Sequence, residues 1–214
     1  NLVAVPYASK WSDLGGWDAV WTEGKADKSG NVTSETANAI ECTDSLLRSE
    51  SRSQQVVGIG LDNMIVIAMP DAVLVAPKER AQDAKNAVAL LKSKDIAQAE
   101  IFPKEHRPWG WFESLALGDR FQVKRICVKP GGALSLQSHE HRSEHWIVVE
   151  GITKVTIDDE VKQVTEGQSV FVPLGAKHRI ENSGKSLSVL IEVQIGKYLG
   201  EDDITRYEDL YARN

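Results

Sequence analysis

Apolar and polar positions alternate over short runs along most of the chain, and this period is interrupted once. Between residues 31 and 76 the runs "NAIECTD", "QQVVGIG" and "MIVIAMPDAVLVAP" are brief, β-branched and bounded by turn residues. The last is broken at Pro70-Asp71, a turn signal. Strands this short and close, with no helix between them, suit a sheet or a β-helical stack. No clean six-residue repeat accompanies them. In "PKERAQDAKNAVALLKSKD", residues 77–95, the period becomes helical: Ala81, Ala84, Ala87, Val88 and Leu91 recur at spacings of three and four. Pro77 suits the first turn of that helix, and "IAQAEIFPKEHRPWG" reads as the linker after it. From 111 to 196 the strand period returns in "FQVKRICVKPG", "SEHWIVVEG", "ITKVTIDDEVKQVTEG", "SVFVPLG" and "LSVLIEVQIG". Six or more such strands in so short a stretch predict a small antiparallel barrel or jelly roll. The tail "KYLGEDDITRYEDLYARN" predicts a short helix over one end of the barrel. The expectation is a mainly β chain in three parts: a β-helix-like segment over 1–76, a helix and linker over 77–104, and a barrel over 105–214.

Composition narrows the partners. A chain of 214 residues buries a substantial core as one domain or two small ones. No apolar run approaches the roughly 18 residues of a membrane helix. The net charge of -6 and the lack of a basic stripe argue against nucleic acid. Cys42 and Cys127 are the two cysteines, far apart and in strand-like sequence, so no disulfide framework is expected and a reducing cytoplasm is the default. The N-terminus shows no basic segment followed by an apolar one. It has no initiator methionine and reads as the middle of a larger polypeptide.

The candidate chemistry lies in "GGALSLQSHEHRSEHWIVVEG", residues 131–151, and in "VPLGAKHRIEN" further on. Four of the five histidines, His139, His141, His145 and His178, fall between 139 and 178. A single strand histidine is ordinarily a satisfied polar residue; four together beside Glu144 suggest a metal or acid/base site. On a strand, Gln137, His139 and His141 share one face, as do Glu144 and Trp146 on the next, and His145 points away. A hairpin around 140–143 would set these strands side by side.

These segments resemble the cupins, small double-stranded β-helix barrels that hold a metal. From Gly131, five residues lead to Gln137-x-His139, four more to Glu144 and six more to Gly151. The pair His139-x-His141 fits this spacing less well. A second cupin motif is met at Gly167, Pro173, Gly175, His178 and Asn182. The resemblance implies a cupin jelly-roll barrel with Gln137, His139, Glu144 and His178 as metal ligands, Gln137 replacing a histidine. Such donors suit zinc or another first-row divalent ion. Two histidines and one carboxylate also resemble the facial triad of iron oxygenases.

Over 105–213, "RPWGWFE", "FQVKRICVKPG", "LSLQSHEHRSEHW", "VPLGAKHRIEN" and "IEVQIGKYLGEDDITRYEDLY" resemble the type II phosphomannose isomerases, the C-terminal halves of bifunctional mannose-1-phosphate guanylyltransferases. "WSDLGGWDAVW" is similar to a segment of the transferase half, with Asp13 at a candidate magnesium position, and the residues after it resemble that half's β-helical tail. The nucleotide-binding glycine-rich loop of that half is absent, so transferase activity is not expected. The implied reaction interconverts mannose 6-phosphate and fructose 6-phosphate through a cis-enediol. Arg142, two residues before Glu144, cannot give up its proton and is expected to bind and polarise substrate. His141 is a candidate for proton transfer. Lys124 and Arg125 alternate, so one faces inward, and Lys124 is the choice. Arg206 and Lys177 are candidates for the phosphate. Two other readings stand beside this one: an iron oxygenase, and a non-catalytic sugar-binding or assembly module whose residues 1–100 support a homodimer.

Overall fold

The computed structural model describes residues 3–6 and 12–211. Trp11, part of the transferase-like segment, lies outside them. The chain divides into two compact units, the first ending at Ile101 and the second beginning at Phe102.

The first unit opens with a short helix, α1 (Trp17–Glu23), in a stretch the hydrophobic pattern does not mark. Strands β1 (Val32–Thr33), β3 (Leu46–Ser49) and β5 (Met64–Ala68) then stack in parallel, while β2 (Ala37–Ile40) and β4 (Val56–Ile59) form a second parallel pair. This is the coil expected of a β-helix. The partners Ala37 and Val56, Thr43 and Asp62, and Leu46 and Ile65 are each 19 residues apart, so one rung takes 19 residues. Its interior is filled by Leu46, Leu47, Ile65 and Ile67. β6 (Val73–Pro77) closes the stack antiparallel to β5.

The helix is shorter than its pattern predicts. Pro77 ends β6 instead of opening a helix, residues Lys78–Asp83 form a 3-10 turn, and α2 spans only Ala84–Lys92. Ala81 is the buried member of the expected stripe; Ala87 and Val88 are exposed.

The second unit is two facing antiparallel sheets. The linker expected after α2 contains its first strand, β7 (Lys104–Arg107), paired with β8 (Gly110–Gly118). With β9 (Phe121–Val128), β11 (Arg142–Glu150), β14 (Ser169–Val172) and β16 (Ser188–Gly196) these make a six-stranded sheet in the order β14-β11-β16-β9-β8-β7. The other sheet runs β13-β12-β15-β10-β17, from β10 (Leu136–Ser138), β12 (Ile152–Ile157), β13 (Glu160–Thr165), β15 (His178–Glu181) and β17 (Thr205–Glu208). From β9 onward the chain passes between the sheets at every step except the β12–β13 hairpin, the double-stranded β-helix that was expected.

The core of this unit includes Trp109, Ile126, Val128, Trp146, Val148, Ile180 and Leu190, and Trp146 carries it up to His178. Two motif glycines are required by the backbone. Gly151 has φ +82, and a Cβ there would meet the Leu187 carbonyl oxygen at 2.6 Å. Gly175 has φ +79 in the turn that delivers His178. The motif residue Asn182 is buried and donates from Nδ2 to the carbonyls of Val128 and Ser186, both at 2.8 Å.

Two local expectations are corrected. The tail forms no helix: a 3-10 turn at Glu201–Asp203 leads into β17, which pairs with β10. An aromatic every few residues, at Tyr198, Tyr207 and Tyr211, matches an edge strand and its flanks as well as a helix. No hairpin joins β10 to β11 either. They belong to opposite sheets, and residues 139–141 carry the chain across between them.

Candidate metal centre

His139, Glu144 and His178 meet inside the barrel, with ligand atoms all within 4.8 Å of one another. Glu144 lies on the inward face of β11, where Arg142, Glu144, Trp146 and Val148 alternate as buried positions. His178 begins β15, and His139 follows β10 at the start of the crossover. All three are at most 2% exposed.

The hydrogen bonds around the rings fix which nitrogens face the centre. His139 Nδ1 lies 3.1 Å from the Asp203 carbonyl oxygen, and His178 Nδ1 lies 2.9 Å from that of Ala176. A carbonyl only accepts, so each Nδ1 carries a proton, and the neutral form of each ring presents an Nε2 lone pair inward. Glu144 Oε1 is 3.1 Å from His139 Nε2, and Oε2 is 3.7 Å from His178 Nε2. Neither Nε2 atom has a hydrogen bond of acceptable geometry. Three sets of lone pairs thus converge on one buried point, an arrangement that fits a divalent cation.

Charge is arranged to match. Burial raises the Glu144 carboxyl, but the close approach of His139 and His178 outweighs this and leaves it below the usual carboxylate range. Burial holds His178 below its ordinary value, against the pull of Glu144, and so keeps it neutral. Gln137 stands opposite His178 in the β10–β15 register and lines the adjoining cavity, with its Oε1 accepting from Ser135 Oγ at 2.9 Å.

Arg107, Lys124, Arg142 and Arg206 line that cavity, together with Glu192, Gln194 and Glu201. Arg142 is 2% exposed; its Nη1 donates to the Gly200 carbonyl at 2.8 Å, and its Nε lies 3.6 Å from Glu144. Lys124 faces inward, as expected, and pairs with Glu201, while Arg125 pairs with Glu113 outside. Arg206, on edge strand β17, lines the mouth.

Other residues fall elsewhere. His141 is exposed, bonded through Nδ1 to Asp203 at 2.8 Å, and belongs to a separate depression. β10 ends at Ser138, so the alternation that grouped His141 with His139 stops before reaching it. Lys177 sits over the Tyr207 ring, 4.5 Å from its centroid, and does not line the cavity. His145 points away from the centre and packs on Phe171. Asp13 is exposed and bonds the backbone of Gly15.

Hydrophobic alternation hid Glu192 and Gln194. In β16 the positions Ser188, Leu190, Glu192, Gln194 and Gly196 are the buried ones, while Val189, Ile191, Val193 and Ile195 face outward. The usual rule of apolar inside is reversed on this strand. A polar pair two residues apart in an apolar run was the available signal. Arg107 was concealed in the supposed linker, and Asp203 in the supposed helix.

Residues 94–209, more than half of the chain, match the family described as mannose-6-phosphate isomerase C-terminal. The chain belongs to this family. Residues 35–91 match a β-helix domain described as mannose-phosphate isomerase/GMP-like. The family's relatives include the xanthan biosynthesis protein XanB of Xanthomonas campestris, 45% identical over all of this chain and 45% of that protein. A mannose-1-phosphate guanylyltransferase of Salmonella montevideo is 44% identical over all of this chain and 45% of its own length. The alginate biosynthesis protein AlgA of Pseudomonas aeruginosa is 43% identical over 98% of this chain and 43% of that protein. The chain therefore spans a little under half the length of these relatives. A solved double-stranded β-helix protein from Klebsiella pneumoniae aligns with 45% of the chain and 83% of its own, at 18% identity and a TM-score of 0.41. Among the described residues, no helix is long and apolar enough to cross a membrane.

Proposed function

We propose that the second unit is a metal-dependent aldose–ketose isomerase that interconverts mannose 6-phosphate and fructose 6-phosphate. The observation that carries this reading is the convergence of His139, Glu144 and His178 lone pairs beside a cavity walled by cations. Its membership of the mannose-6-phosphate isomerase family supports the choice of substrate.

The reaction moves a proton between C2 and C1 through a cis-enediol. A bound divalent cation, zinc by the chemistry of the donors, supplies positive charge for the oxyanion that develops. His139, Glu144 and His178 would hold that cation, with Gln137 beside them. Arg142 keeps its guanidinium at the cavity wall as a fixed donor toward the sugar oxygens. Arg206 supplies charge for the phosphate at the mouth, and Lys124 adds charge from within. Proton transfer between C2 and C1 is assigned to Glu192, a carboxyl on the cavity wall, in place of His141, which lies in a separate depression. Within a longer protein this step would feed GDP-mannose and polysaccharide synthesis, in keeping with the names of the xanthan and alginate relatives.

A coupled assay for fructose 6-phosphate formed from mannose 6-phosphate tests the proposal. Turnover is expected in the metal-loaded chain, lost with a chelator and restored by zinc. Absence of turnover with every divalent ion overturns it. Oxygen consumption with ferrous iron favours an oxygenase instead.

A further inference from the structure

We infer that Asp203 is the positioning residue of this centre, fixing His139 and Arg142 from a strap formed by the C-terminal segment. The inference rests on the reading of His139, Glu144 and His178 as a metal site. Asp203 ends the 3-10 turn that precedes β17, and its side chain is only 4% exposed. Its contacts fall on four consecutive residues, 139–142. The carbonyl oxygen lies 3.1 Å from His139 Nδ1. Oδ1 accepts from the Glu140 backbone N–H at 3.2 Å and from His141 Nδ1 at 2.8 Å. Oδ2 accepts from the His141 backbone N–H at 3.2 Å and stands 3.6 Å from Arg142 Nη1.

The position of these contacts gives them their meaning. Residues 139–141 cross between sheets, where the backbone N–H groups of Glu140 and His141 have no ladder to join. The Asp203 carboxylate takes both, and so sets the path of the crossover that carries His139. Its own carbonyl then holds the proton on His139 Nδ1, which is what turns the Nε2 lone pair inward. The same carboxylate lies against the Arg142 guanidinium and orients it beside Glu144. One residue, through its main-chain carbonyl and its carboxylate, thereby links the tautomer of a ligand to the placement of a cavity arginine.

A general loosening of the strap would be a different cause of similar losses. Tyr207, on the same strap, contributes a hydroxyl contact with Ser138 Oγ at 3.0 Å and touches none of residues 139–142 through that bond. Comparing Asp203→Ala, Asp203→Asn and Tyr207→Phe in the full chain separates the two.

Zinc affinity is measured by competition with a chromophoric chelator, and the His139 tautomer by NMR of isotope-labelled histidine in metal-free protein. Asp203→Ala keeps the main-chain carbonyl but frees the crossover from it, so it is expected to loosen the His139 Nδ1 contact, weaken zinc binding about 10- to 100-fold, the usual effect of disturbing an outer partner, and mix the His139 tautomers. Asp203→Asn should fall between it and the parent, and Tyr207→Phe should match the parent in both readouts. Parental affinity and tautomer in Asp203→Ala, or an equal loss in Tyr207→Phe, overturns the inference. If Asp203→Ala does not fold, Asp203→Asn decides by the same two measurements. If the parent itself binds no zinc, the metal reading fails; the tautomer then decides the role of Asp203, and its persistence as Nδ1–H in the variant overturns that role.

Discussion

Glu144 and Glu192 are held side by side by one indole: Trp146 Nε1 donates to Glu144 Oε2 at 2.9 Å and to Glu192 Oε1 at 3.2 Å. The two carboxyls respond oppositely. Glu144 is kept charged, while burial and the neighbouring Glu144 charge push Glu192 well above the usual carboxylate range. A raised acid contributes stability below its unfolded value and loses that contribution as pH rises. In chelator-treated protein, Glu192→Gln should therefore gain thermal stability over the parent as pH is raised from about 5 to about 8. Calorimetry across that range checks it; a constant difference would mean Glu192 does not carry the proton. In the metal-loaded chain the same substitution should lower kcat by about 10²- to 10⁴-fold, the usual worth of a placed acid or base.

Glu144→Gln should abolish stoichiometric metal. It removes the only anionic donor from the group and puts an amide where two imidazole lone pairs converge. Metal content after dialysis reads the result, and retention of a full equivalent would move the centre elsewhere.

Acid should release the metal and weaken the fold together. His178 sits below its ordinary value, so its contribution is present above about 6.5 and fades as pH falls through the lower folded value. Proton competition at the same ring lowers metal affinity in that range. Chelator competition and unfolding curves between about pH 7.5 and 5 should both decline. His178→Gln should remove most of the slope in stability.

Arg142→Ala should cost about 3–5 kcal/mol in urea unfolding, because it strands Glu144 and Asp203 carboxylates that the guanidinium offsets in the interior. Arg142→Lys keeps the charge and loses the fork, so folding should recover more than turnover does.

Arg206→Ala should raise KM for the sugar phosphate with little change in kcat, the pattern of lost uniform binding. Arg206 is exposed on an edge strand, so stability should be nearly unaffected. Steady-state kinetics and a melting curve test both halves of this statement.

The donor group was legible because motif spacing counts residues along strands whose geometry is regular. Three of the four ligands that the cupin resemblance implied, His139, Glu144 and His178, converge, Gln137 lines the adjoining cavity, and Lys124 turns inward. His141 escaped because the strand ends one residue before His139, a boundary that side-chain alternation does not reveal. Glu192 and Gln194 escaped for a different reason: β16 places its isoleucines and valines outward and polar side chains inward. The 19-residue rung of the first unit was invisible to a search for hexads, because the match is between backbone positions such as Thr43 and Asp62, whose side chains differ.

The cavity draws its parts from two kinds of strand. Arg142, Lys124 and Glu192 stand on β11, β9 and β16, each flanked by partners on both sides, whereas Arg107 and Arg206 stand on β7 and β17, the terminal strands of their sheets. An interior strand cannot change its path without disturbing two neighbours; a terminal one disturbs one. Inheritance can therefore retune what the mouth admits by altering the margins, while the inner chemistry stays fixed by the weave around it. Directed evolution toward other phosphorylated sugars should begin at those margins.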